Sequence, residues 1–247
     1  MKKLKLILFL LVIGISFITI AQNEEDPMVQ GDKEVSYNRY LKALPLYQKA
    51  LSKAKDEAKI KEATFKIGYC YKMMLDNKRA EEWFKKVVDS YEDPIVKLYY
   101  ADALRANGKY ADAIIQYEKY KEKVPNDEKA NIGIESCKLA QRWKDAPLQY
   151  NVKNVKELNS EQDDFSPYFE DNKTFKTMII TSSRPGSMGE SVDAWTGQYF
   201  SDLYSSKRDM KGKWSSPTPL SAVINTPGHE GAACFNEERT ELYFTRC

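Results

Sequence analysis

The chain has 247 residues but only one histidine, His229, which disfavours a His-based triad or a multi-histidine metal site from the outset. Glycine (11) and proline (10) are too sparse for a collagen-like or low-complexity chain. A hydrophobic content of 42% against 30% charged residues suits a soluble folded protein and excludes a polytopic membrane protein. Excess charge is also lacking. The formal net charge is +2, and Lys2, Lys3 and Lys5 all precede the first apolar run. Without them the chain carries 35 basic and 36 acidic groups. That balance leaves no concentrated basic composition for a nucleic-acid partner.

What is present begins with that apolar run. Residues 6–21 carry no charge, and Thr19-Ile20-Ala21 places small residues at the positions a signal peptidase requires before Gln22. Sixteen uncharged residues fall short of the roughly 20 that span a bilayer as a helix. Residues 1–21 therefore read as a cleaved export signal. The expected location is a periplasm-like space, in association with the outer membrane. The first cysteine is Cys70, so the run carries no lipid-anchor cysteine. Cys70 and Cys137 stand two helical units apart, and Cys234 and Cys247 are out of register on one hairpin. No disulfide is expected, and all four read as buried small hydrophobes.

Residues 22–147 contain three phased copies of one helical pattern. The first is Asn38, Tyr40, Ala43, Tyr47, Ala50 and Leu51. The second is Ile67, Gly68 and Tyr71, followed by Ala80, Phe84 and Val87. The third is Gly108, Tyr110, Ala113, Tyr117 and Tyr120, closed by Pro125. Ala43, Ala80 and Ala113 fall where two helices of a hairpin cross and only a small side chain fits. Tyr47, Phe84 and Tyr117 lie one turn further and fill the groove toward the next unit. Residues 128–142 would form a capping helix. The pattern, with spacings of 37 and 33 residues, resembles the tetratricopeptide repeat.

That resemblance implies a concave face lined by the first helix of each pair, presenting Phe65, Tyr69 and Lys72, then Leu98, Tyr99, Asp102 and Arg105. An aromatic patch rimmed by charge suits an extended peptide or protein partner. Phe65 and Tyr69 occupy the positions where co-chaperone members of the family place a Lys/Asn clamp, so a free C-terminal carboxylate is disfavoured as ligand.

From residue 148 the period changes to short β-branched and aromatic runs between turns. The stretch from Asn159 to Phe169 recurs as Asn225 to Phe235, an offset of 66 residues. A strand at 202–208, a turn at Lys213-Trp214-Ser215-Ser216-Pro217 and a strand at 218–220 lie between them. The excess over a usual blade of about 40–50 residues falls in the segment 185–197. This order resembles the TolB-like β-propeller, with Trp214 expected between neighbouring blades. The expected fold class is thus α+β multidomain, an α-solenoid followed by an incomplete propeller of about one and a half blades. Because a propeller closes with at least four blades, the sequence is expected to be part of a longer protein.

Asp163-Asp164 and Glu230 lack the ligand ladder of a calcium loop and are expected to accept hydrogen bonds from turn amides. Ser187-Met188-Gly189-Glu190 lacks the context of a nucleophile elbow, and no phosphate-cradling loop occurs. No catalytic residue, metal or cofactor is assigned. The combined architecture resembles the Bacteroidetes envelope proteins that continue into an OmpA-like domain, some of them accessory to type IX secretion. It implies a non-enzymatic scaffold for envelope or secretion-complex proteins, with peptidoglycan bound only through a domain absent here. The alternative is the first part of an exported propeller hydrolase.

Overall fold

A computed structural model describes residues 25–189 and 191–247. The expected export signal lies outside these residues. Those described form an α+β fold. Seven helices come first: α1 (Pro27–Ser36), α2 (Tyr40–Lys53), α3 (Glu57–Met73), α4 (Asn77–Lys85), α5 (Ile95–Ala106), α6 (Tyr110–Lys123) and α7 (Glu128–Asp145). Six strands follow: β1 (Asp164–Phe169), β2 (Thr177–Ser182), β3 (Asp202–Lys207), β4 (Thr218–Pro219), β5 (Glu230–Phe235) and β6 (Leu242–Arg246).

Each helix packs against the next, and α3 and α5, then α5 and α7, also touch. The crossing alanines Ala43, Ala80 and Ala113 are fully buried, as are Tyr47, Phe84 and Tyr117. Glycine makes the close approach possible. A Cβ on Gly31 would lie 2.5 Å from the Tyr47 ring, and one on Gly68 would lie 2.9 Å from Phe84. Gly133 of α7 meets Tyr117 in the same way. The turn between paired helices repeats in three places. Asn38, Leu75 and Gly108 adopt left-handed φ of 56°, 60° and 76°. After each, a six-to-one amide bond closes the turn: Arg39 N to Glu34 O, Asp76 N to Tyr71 O and Lys109 N to Leu104 O, all 2.9 Å.

β1 to β4 form a four-stranded antiparallel sheet in sequential order, and β5 with β6 forms a hairpin. β5 packs against β1, β2 and β3. The small core between them is Ile179, Leu203 and Ala233, flanked by Leu220, Ile224, Phe235, Leu242 and Phe244. The 66-residue repeat extends to backbone detail. β1 carries a bulge with Ser166 at φ 48°, and β5 carries one with Ala232 at φ 49°.

Two expectations are corrected. Cys70 and Cys137 are buried free thiols, but Cys234 and Cys247 are exposed. The β5 bulge is the reason for Cys234: it interrupts the alternation at Ala232, so Ala233 turns inward and Cys234 outward. Cys247 lies beyond β6, where its amide donates to His229 O at 3.0 Å. Trp214 is buried and stacks on Phe169 of β1, with Arg208 over its ring.

Candidate functional site

α3 and α5 place six of the seven candidate residues in one contiguous patch. Phe65, Tyr69 and Lys72 recur at helical spacing on α3, so their side chains share a face. The Tyr99 ring from α5 lies 6.2 Å from Phe65 and 5.8 Å from Tyr69, centroid to centroid. Lys72 Nζ stands 4.9 Å over the Tyr99 ring and 3.4 Å from the Asp102 carboxylate. Asp102 accepts a hydrogen bond from the Tyr117 hydroxyl at 2.7 Å, and Arg105 Nε donates to that hydroxyl at 3.1 Å. The aromatic rings are half-buried and Arg105 is exposed. Leu98 departs from the set. One residue's rotation from Tyr99 turns it into the helical core, where it is 3% exposed.

The titratable groups of the patch are shifted by burial and by one another. Burial raises the Tyr99 phenol above its ordinary value, and Tyr69 and Asp102 add to the rise. Burial also pushes the Tyr117 phenol up, and the adjoining Asp102 carboxylate holds its proton further in place. Although Arg105 is exposed overall, partial desolvation of its guanidinium opposes the charge, and the hydrogen bond to Tyr117 and the nearby Asp102 outweigh this and raise it.

Sequence reasoning missed three rings that extend this patch. Tyr91 stacks on Phe65 at 4.6 Å, Tyr40 of α2 meets Tyr69 at 6.1 Å, and Trp195 from the β2–β3 connection meets Tyr40 at 5.8 Å. The only sequence signal for Trp195 was its place in the overlong segment between strands. Beside it a cleft of about 630 Å³ separates the helical and β halves, lined by Leu41, Tyr71, Met74, Leu75, Asp163 and Tyr199 among others.

The polar groups singled out in the β half serve the fold. Asp164 accepts from the Ser160 amide and hydroxyl and pairs with Arg184 at 2.6 Å. Sixty-six residues on, Glu230 accepts from the Thr226 amide and hydroxyl and pairs with Arg246 at 2.9 Å. His229 Nδ1 lies 3.1 Å from the Ser201 amide and hydroxyl. The buried Ser201 hydroxyl donates to Glu230 O at 2.9 Å, which ties it into the backbone. Among the described residues no group of three or more His, Cys, Asp or Glu side chains is placed to hold a metal, and no helix is long and apolar enough to cross a membrane. No protein-family model matches this chain, and no curated protein matches it significantly in sequence.

Proposed function

We propose that the chain is a non-enzymatic, exported envelope scaffold. In this reading the seven helices are a tetratricopeptide solenoid, and the β half is a first propeller blade with the opening hairpin of a second. Support for the blade reading comes from the repeated bulge, acid and arginine, and from Asn225. Its side chain receives the Leu203 amide at 3.0 Å and donates to Leu203 O and Leu220 O, pinning the connection that leads into β5 onto the four-stranded sheet. The side chain of its counterpart Asn159 donates instead to the nearby Asn154 side chain.

The observation that carries the function is the aromatic row Tyr91, Phe65, Tyr99 and Tyr69, edged by Lys72, Asp102 and Arg105. Half-buried rings lose little entropy on binding, and the charged edge selects polarity. The occupant is an extended segment of an envelope or secretion-complex protein. Peptidoglycan contact would need a further domain, and no nucleic acid is involved. The combined variant Tyr69→Ala with Arg105→Glu should lower partner affinity at least tenfold while keeping the helical circular dichroism of the parent. Co-purification of the same envelope proteins at unchanged yield would refute the assignment.

A further inference from the structure

We infer that the turn from Val192 to Tyr199 is a clasp that fastens the β half to the helical half by capping two helix ends. The turn is built to hold its shape. Val192 and Tyr199 form an antiparallel bridge, and Asp193 N donates to Gln198 O at 2.8 Å. The Asp193 carboxylate accepts from the Trp195 amide and from the Thr196 amide and hydroxyl. Gly197, at φ +73°, closes the loop where a side-chain-bearing residue would be strained.

Its tip meets groups that a helix cannot satisfy alone. α2 has Arg39 at its N-cap position, with no side-chain capping bond, so its first amides need outside acceptors. Leu41 N donates to Ala194 O at 3.0 Å. Met73 ends α3 and its carbonyl lies beyond the reach of intrahelical donors. Trp195 Nε1 donates to that carbonyl at 3.2 Å. Adjacent residues of one turn thus cap the start of α2 and the end of α3. The Trp195 ring lies edge-on to Tyr40, and the would-be Cβ of Gly197 sits 3.5 Å from Leu41. The overlong β2–β3 connection acquires a purpose: its length carries the turn across to the helices.

The helical repeat provides an internal reference. Ala111 of α6 stands at the position that corresponds to Leu41 of α2. Hydrogen exchange on the intact chain should find the Leu41 amide protected relative to Ala111. In Trp195→Ala the Leu41 rate should rise about tenfold or more, and the scattering radius of gyration should increase. Trp195→Phe keeps a ring but lacks the indole donor, so it should fall between the two. Circular dichroism distinguishes a loosened pair of halves, with helical content intact, from failure to fold, in which case the phenylalanine variant decides. Equal protection of Leu41 and Ala111 in the parent, or unchanged Leu41 exchange and scattering in a folded variant, overturns the inference.

Discussion

Leu75 is an exposed leucine at φ 60°, in the place where the third helix pair has Gly108 and the first has Asn38. An L-residue with a bulky side chain is disfavoured in this left-handed region by roughly 1–2 kcal/mol, partly offset by the entropy a glycine loses on folding. Leu75→Gly should therefore stabilise the chain by about 0.5–1 kcal/mol in urea titration. Asp202 invites a second substitution. Burial raises its carboxyl above the ordinary 3.8, and Glu230 adds to the effect, although the Met188 amide donates to it. Among the described residues its Oδ1 has no hydrogen-bond partner. An acid whose folded value is raised stabilises the fold below its unfolded value, and that stability is lost as pH climbs through the folded one. Asp202→Asn should raise the melting temperature at pH 7, and the gain should fade as pH approaches 3.8. Asp164 has the opposite sign. Burial opposes its charge, but hydrogen bonds from Ser182, Ser160 and Arg184 hold its carboxyl below the ordinary value. Its stabilisation holds above 3.8 and is lost on acidification through the lower folded value. Asp164→Asn should therefore destabilise the chain at pH 7, with the deficit shrinking only in stronger acid.

At the scale of elements, the helix pairs depend on steric exclusion more than on apolar area alone. Gly68→Ala would drive a methyl into the buried Phe84 ring, beside the Trp83 Cβ, and should cost about 1–3 kcal/mol in a chemical melt. Much of this was legible beforehand, because crossing alanines and groove-filling rings obey a helical period that burial enforces. One polar detail also follows the repeat. Tyr47 donates to Asp32 at 2.7 Å and Tyr117 donates to Asp102 at 2.7 Å, whereas the middle pair has Phe84 and no such bond. What escaped the sequence has physical causes. The inward turn of Leu98 depends on which flank its neighbours cover, and periodicity alone does not fix that. Cys234 faces out because a bulge shifts the alternation by one, and no residue type in Gly231-Ala232-Ala233 announces it. Trp195 reaches residues more than 120 positions away, a tertiary contact no local pattern encodes.

For the molecule as a whole, the aromatic row and the clasp are continuous through Tyr40 and Tyr69. A ligand lying along the row would meet Trp195 at its α2 end. Under the scaffold reading, Trp195→Ala should alter partner affinity without touching any of Phe65, Lys72, Tyr99 or Arg105. Calorimetry with a captured partner would measure that change, and identical affinity in the two proteins would confine the binding surface to α3 and α5.

The acids Asp164 and Glu230 each find their arginine, Arg184 and Arg246, within the same run of strands. Each acid is thus neutralised from within its own run, although Arg184 is enclosed and Arg246 is exposed. The boundary between the runs is still felt: Glu230 adds to the burial that raises the Asp202 carboxyl, so charge placed in one run is sensed in the other.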